Sequence, residues 1–411
     1  MTQTTRRRLL ASGSAALPLV FIGRARAAPA EVQIGLLVPL SGSWAYNGQL
    51  EKIGAEMAVA DINRAGGIRA LGGAKVRLRL SDAGGSVQEA RSAAQRVVAQ
   101  ESDLVAGIGC WLSSFTLVVT EVTERAKLPW VTLSWADQLT SRGYHYIICT
   151  SPPSSRIITG ALSEMVALAK QTVGKAPATV ALISDNTASQ VAILNTLRHG
   201  LLAKFNLKPV MDQVFAPPLS DASSLVLDVR RSHPELVLLN TSSVSDAKLL
   251  LQTLNEFGLG KGRVPIFAPV PTWGYPPLLK TVGADKLEGL IGAGSDWGQK
   301  SQAALLASMN KRSGLPWQPQ ETLQTYGNLM LIVDAIERAR SADRDKVMAE
   351  LLKTDTTTGP AKFFLGDRLS FQPNGRRAQD IVALFQWQNG VPVTVAPASA
   401  AMDPLKWPKL A

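Results

Sequence analysis

From Val32 onward, short unbroken apolar runs alternate with longer stretches in which apolar residues recur every three or four positions. "VQIGLLVPL" has the first pattern, that of a strand buried on both faces, and "EKIGAEMAVADINRAGG" the second, an amphipathic helix stopped by glycine. "AKVRLRLSDA" alternates as a strand, "SVQEARSAAQRVVAQ" reads as helix, "LVAGIG" as strand, "SFTLVVTEVTERAK" as helix and "PWVTLS" as strand. Strands separated by helices of this length require crossover connections, which are right-handed and build a parallel sheet covered on both faces. After "YHYIICTSPPSS" the cycle restarts with "TVALISD" (Thr179 to Asp185), and "SQVAILNTLRHGLLAKF", "LKPVMDQVF", "LSDASSLVLDVRRS", "PELVLLN", "SDAKLLLQTLNEFG" and "VPIFAP" continue it. Two long helical stretches follow, "SQAALLASMNKRSG" and "TLQTYGNLMLIVDAIERAR". The last segment alternates around an Asn389-Gly390 turn, the mark of a hairpin. The expected fold is α/β, with two doubly wound parallel-sheet lobes.

Two such lobes leave a cleft into which the C-terminal ends of both sets of strands point. "IGCWLSSFT" (Ile108 to Thr116) places Ser113 and Ser114 at one of these ends, ahead of a helix expected to begin near Phe115. Hydroxyls beside free helix N-terminal N–H groups make a receptor for a carboxylate. Either serine also suits the N-cap position, which favours serine over alanine by about 1 kcal/mol, and the two roles are compatible. The expected cleft segments are also aromatic: Trp44 and Tyr46 in the first loop, Trp111 beside the serines, Trp135 after the next strand, Trp273 and Tyr275 in the second lobe, and Trp297 near a crossing. Each of these rings suits ordinary packing. As a group at strand ends they suit a pocket that stacks a flat or apolar ligand, with indole N–H groups as donors.

The N-terminus reads as an address. "TRRRLL", a short apolar run and Ala25-Arg26-Ala27 fit a twin-arginine-like export signal over residues 1–27, which implies a soluble periplasmic protein. Of the formal charge of +11, five arginines lie ahead of Glu31, leaving +6 on the other residues. With no dense basic run there, nucleic acid is not an expected partner. Cys110 and Cys149 are too few for a disulfide framework. In an oxidising compartment they are compatible either with one disulfide or with two buried thiols. The three histidines form no metal-binding spacing, and no GxSxG, CxxC, phosphate-binding or dinucleotide-binding motif is present. The composition, 46% hydrophobic and 18% charged, is that of a folded protein, and neither an enzyme nor a bound cofactor or metal is expected.

In order and spacing these segments resemble the periplasmic solute-binding proteins of ATP-driven importers, of the leucine/isoleucine/valine-binding type. The likeness runs from "IGLLVPLSGSWAYNGQ" through "GAEMAVADINRAGGI", "SDAGGSVQEARSAAQRVV", "IGCWLSSFT" and "LTSRGYHYIICTSP" to "GDRLSFQPNGRR…ALFQWQNG". It implies the type I periplasmic binding protein fold, with lobe one from 32–151 plus 295–362 and lobe two from 152–294 plus 363–411. The three crossovers would lie near Ser151, Ala293 and Phe364. It further implies a monomeric receptor for a small hydrophobic amino acid or related carboxylate, delivered to the inner-membrane permease of an ABC importer. An aromatic acid or amide presented to a periplasmic sensor or oxidoreductase system is the alternative.

By the same resemblance, the ligand carboxylate falls to Ser113 and to groups around Ser134 and Ala136. The chain departs from the family at the ammonium site. Ser154 stands at the family's aspartate, Pro269 to Thr272 at its glutamate, Ser189 near its tyrosine and Ala136 at its threonine. An ammonium stripped of water without a carboxylate loses several kcal/mol, so Asp137, Asp185 and Asp296 become the candidate substitutes.

Overall fold

The computed structural model of the chain describes residues 31–406. The export signal expected over residues 1–27 lies outside the described residues. Strands β1 (Glu31–Val38), β2 (Lys75–Asp82), β3 (Leu104–Gly109), β4 (Trp130–Thr132) and β5 (Ile147–Cys149) form a parallel sheet in the order β2-β1-β3-β4-β5. Helices α1 (Ala45–Arg64), α2 (Val87–Gln100) and α3 (Ser113–Arg125) are the crossovers. Alternation sorts the side chains. Ile34, Leu36, Val131 and Ile148 pack with α1 and the Gln320–Ala339 helix, while Leu37, Leu104 and Trp130 pack with α2 and α3.

The chain then passes through helix α4 (Ser154–Val173) into a second sheet. There β6 (Thr179–Asp185), β7 (Lys208–Phe215), β8 (Leu236–Asn240), β9 (Ile266–Ala268) and β10 (Ile291–Gly294) are parallel. After the short β11–β12 pair (Asp355–Thr356 and Leu369–Ser370), β13 (Ala383–Gln388) and β14 (Val391–Ala396) add an antiparallel edge, giving the order β14-β13-β10-β9-β8-β6-β7. Asn389 and Gly390, at φ 54° and 79°, close the expected hairpin. Helix α5 (Ala188–Thr196) follows β6. Among the described residues no helix is long and apolar enough to cross a membrane.

Polar side chains join the sheets. The segment "NGRR" runs along β5: Cys149 N–H donates to the Gly375 carbonyl at 2.8 Å, and Arg377 N–H donates to the Cys149 carbonyl at 2.9 Å. Gly375 sits at φ 77°, and a Cβ there would lie 2.1 Å from the Ile147 carbonyl oxygen, so only glycine allows this approach. Arg376 reaches the carbonyls of Ala136 (2.7 Å), Ser134 (3.2 Å) and Ser151 (3.4 Å). Arg377 pairs with Asp296 at 3.0 Å and donates to the Leu365 carbonyl at 2.5 Å. Both members of that ion pair are buried; burial pushes the Asp296 carboxyl up to about 6, against the opposing pull of the Arg377 guanidinium.

The Gln320–Ala339 helix adds a polar face to the same junction. Gln320 accepts from Ser295 N–H at 2.8 Å, Gln324 donates to Ser151 Oγ at 2.9 Å, and Asn328 accepts from Thr150 Oγ at 2.7 Å. Residues spaced by four share one side of a helix, so one row of amides touches both crossings.

Cutting one half of the ion pair leaves the other charged and dry. Asp296→Ala is therefore expected to cost about 3–5 kcal/mol in urea-melt stability. A loss below about 1 kcal/mol would show that the pair does not hold the junction.

Candidate functional site

The strand ends of the two sheets face each other across a narrow gap. In it lies a small cavity whose walls come from both lobes. Of the residues expected at the site, Trp111, Ser113, Trp135 and Ser189 line it. Leu133, Val270 and Pro271 supply its aliphatic surface.

Ser113 is the first residue of α3, and Leu112 occupies the N-cap position without a side-chain cap bond. Neither serine caps the helix, because both hydroxyls are engaged elsewhere. Ser113 Oγ accepts from the backbone N–H groups of Trp135 (3.2 Å) and Ala136 (3.1 Å). Its own proton is thereby left to donate. Ser114 Oγ accepts from Ala188 N–H at 3.0 Å, satisfying the first N–H of α5 in the opposite lobe; it bridges the gap and does not line the cavity.

Other expected residues lie around the site. Ser134 is buried beneath it, with its hydroxyl against the carbonyls of Cys110 (2.7 Å) and Trp111 (2.9 Å). Ala136 presents its N–H to Ser113 and its carbonyl to Arg376. Ser154 opens α4, buried, its hydroxyl without a partner among the described residues. Trp44 stands edge-on to Trp111 at 5.9 Å, and Trp273 is buried in the second lobe's core. Tyr46 lies in the first turn of α1, not in a loop, and its ring meets Tyr275 at 5.9 Å. Trp297 stacks on Phe385 in the core at 4.2 Å. Cys110 and Cys149 are buried free thiols.

The three candidate aspartates are occupied. Asp137 accepts from Ser155 N–H at 3.2 Å and from its hydroxyl, Asp296 holds Arg377, and Asp185 accepts from Thr187 N–H (2.9 Å) and Ser242 N–H (2.6 Å). Asp185 thereby fixes two cleft loops of the second lobe.

Two acids that the sequence did not single out are buried here instead. Glu51 and Glu321 are each 1% exposed. Glu321 lines the cavity, and Glu51 accepts from Trp111 N–H at 3.2 Å. Their meeting traces to one glycine: a Cβ on Gly54 would lie 2.2 Å from the Thr322 carbonyl oxygen, so α1 touches the start of the Gln320–Ala339 helix. Asn47, Glu51 and Gly54 share one face of α1. Asn47 donates at 3.0 Å to the hydroxyl of Tyr275, which belongs to the second lobe and itself bonds to the Glu321 side chain. Burial pushes the Glu321 carboxyl up to about 7, opposed by the Tyr275 hydrogen bond. Burial, opposed by the Trp111 N–H and reinforced by the charge of Glu321, raises the Glu51 carboxyl well above its ordinary value.

A periplasmic binding protein family model matches residues 31–391. The chain belongs to the periplasmic binding protein family. Curated relatives include the Leu/Ile/Val-binding protein homolog 8 of Brucella melitensis, 26% identical over 392 residues, covering 93% of this chain and 94% of that one. The homolog 7 of Brucella abortus is 28% identical over 401 residues, covering 94% and 97%. Among solved structures, the leucine-binding protein LivK of Thermotoga maritima superposes with a TM-score of 0.75 at 20% identity, covering 89% of this chain and 98% of its own. A solute-binding protein from R. palustris, in complex with benzoate, gives 0.74 at 17%, covering 92% and 100%. These structures share the two-lobed fold.

The raised Glu321 carboxyl has a consequence for stability. Its folded-state value of about 7 exceeds the ordinary 4.5, so the native state binds this proton more tightly than the unfolded chain does. Stability is therefore lost as pH rises from about 4.5 to about 7, by up to about 3 kcal/mol, and stays lost above that. In ligand-free protein Glu321→Gln is expected to melt at higher urea than the parent above pH ~7, with the gap closing toward pH ~4.5. A gap independent of pH would contradict the burial effect.

Proposed function

We propose that this member of the periplasmic binding protein family is the periplasmic substrate-binding component of an ABC importer. It captures a small hydrophobic amino acid of the branched-chain type, or a related carboxylate, by closure of its two lobes. The observation that carries the reading is the interlobe cavity, where the Ser113 hydroxyl and the indole N–H groups of Trp111 and Trp135 stand beside aliphatic and aromatic surface. Both indole nitrogens are buried without a partner among the described residues. Hydrogen-bond donors beside apolar surface in one chamber suit a carboxylate with a hydrocarbon tail.

Closure follows from differential affinity: a ligand that touches both lobes favours the state in which they are together. The closed monomer then presents both lobes to an inner-membrane permease, and residues 1–27 direct export. The division of the chain into 32–151 plus 295–362 and 152–294 plus 363–411 is consistent with hinge bending at the junction of Asp296, Arg376 and Arg377. The paired indoles favour a second reading, in which an aromatic acid is the ligand and a periplasmic sensor or oxidoreductase system the recipient.

Releasing the bound molecule from purified protein by denaturation and identifying it by mass spectrometry separates these readings. An aliphatic amino acid supports the first and a benzoate-like acid the second, and a ligand without a carboxylate would remove both. Ser113→Ala is expected to weaken binding of the released compound by about 1–3 kcal/mol, the usual loss when a partner of a charged group is removed, with no change in fold by circular dichroism. Unchanged calorimetric affinity would remove Ser113 from the carboxylate site.

A further inference from the structure

We propose that Glu321 is the ammonium-binding group of the cleft: the ligand's protonated amine sits on the carboxylate oxygen that no described protein group reaches, while Tyr275 from the opposite lobe bonds the same carboxyl. The proposal rests on the reading of the ligand as an amino acid and adds to it the residue that meets its positive charge.

Four observations carry it. Glu321 lines the cavity, is 1% exposed, and keeps Oε2 without a partner among the described residues. A buried carboxylate oxygen left unbonded is costly, so an occupant that donates to it is favoured. Gln190 reaches the same cavity from the second lobe, its Nε2 on Ser242 Oγ at 2.5 Å and its Oε1 likewise unpartnered. An ammonium carries three donors and can use both acceptors, tying the lobes together through the ligand. Ser113 and the two indoles add donors to these acceptors, and donors and acceptors in one chamber match a zwitterion better than a simple acid. Finally, the aspartates near the cleft are spent on Ser155, on Thr187 with Ser242, and on Arg377.

The charge balance is consistent. Burial raises the Glu51 carboxyl and so favours its neutral form, which leaves Glu321 as the acid that meets the positive charge. Occupation by an ammonium holds Glu321 ionised, and a proton leaves the protein wherever the empty site was protonated.

The test is titration calorimetry of the full mature protein, freed of co-purified ligand, with L-leucine, L-phenylalanine and their deaminated counterparts 4-methylpentanoate and 3-phenylpropanoate. Runs at about pH 6, 7 and 8, in buffers of differing ionisation enthalpy, read the protons exchanged. The expected result is that an amine-bearing probe binds at least about tenfold more tightly than its deaminated partner. It should release about half a proton at pH ~7 and weaken several-fold by pH ~6. Glu321→Gln is expected to lose at least about tenfold in that affinity, together with the pH slope and the proton release, while still unfolding cooperatively. Glu321→Asp, which retains the charge, should keep the preference for the amine.

Tighter binding of a deaminated probe with proton uptake would make Glu321 a protonated donor to a carboxylate, overturning the assignment and leaving the carboxylate-binding reading standing. Full affinity in Glu321→Gln would overturn the assignment in the same way. Failure of all four probes to bind folded protein would overturn both.

Discussion

The relative position of the two lobes depends on a pair of adjacent buried arginines. Arg376 binds carbonyls of the cleft loop and the first crossing, and Arg377 binds Asp296 from the second crossing and Leu365 from the third. A guanidinium presents five N–H donors in a fixed planar fork, which is why one dipeptide can satisfy so many chain ends at once. Removing such a group from water is expensive, and the many acceptors offset that cost without making the junction a net source of stability. What the arrangement contributes is definition. Hydrogen bonds have directions, whereas an apolar contact of the same area would let the crossings slide. The amide row of Gln320, Gln324 and Asn328 works in the same way on the other side.

From that junction the cleft inherits its geometry. Arg376 holds the carbonyls of Ser134 and Ala136, which leaves the N–H groups of Trp135 and Ala136 facing Ser113. The same loop carries the Trp135 indole into the cavity wall. On the opposite side, Asp185 orders the loops of Thr187 and Ser242, and Ser242 in turn orients Gln190. Each wall is thus built by a buried charged group one layer back, and the groups at the surface of the cavity keep unused hydrogen-bonding capacity. Such capacity costs about 1–3 kcal/mol per buried group and is tolerable only where a ligand completes it.

Much of the fold is legible in the sequence. "TVALISD" and "LVAGIG" are unbroken apolar runs of strand length and become β6 and β3 with the expected ends, and the Asn389-Gly390 turn closes its hairpin. The serines after β3 could be placed at the cleft because strand polarity alone puts them there. Their separate tasks could not: Ser113 turns to its own lobe and Ser114 to the other, a matter of helix phase and lobe approach. The acids were hidden for a related reason. Glu51 and Glu321 sit where the apolar periodicity of their helices begins, positions at which acids ordinarily face water and complement the helix dipole. Here α1 starts earlier than its pattern suggests, at Ala45, and Gly54 brings it against Thr322. That contact helps to bury the two carboxyls. The family's own acidic positions directed attention to Ser154 and to Pro269–Thr272, which lie on other elements.

Tyr275 links lobe position to the charge of Glu321. Its hydroxyl crosses from the second lobe to stand between Asn47 and Glu321 of the first, and its bond to the carboxyl favours the ionised form. Approach of the lobes therefore acts on Glu321 in two opposing ways, the Tyr275 bond favouring the ionised form and the accompanying burial, the larger effect, favouring the protonated one. A positive ligand group against the carboxylate offsets the cost of burying that charge and so makes the closed state compatible with an ionised Glu321. Separation of the lobes withdraws the Tyr275 donor but also lets water reach the carboxyl, which eases its ionisation and screens its attraction for a cation. In a receptor that binds when closed and releases when opened, water entering at the carboxyl weakens its hold on a cation at the moment the cleft opens, because the attraction between the two charges falls as the surrounding dielectric rises.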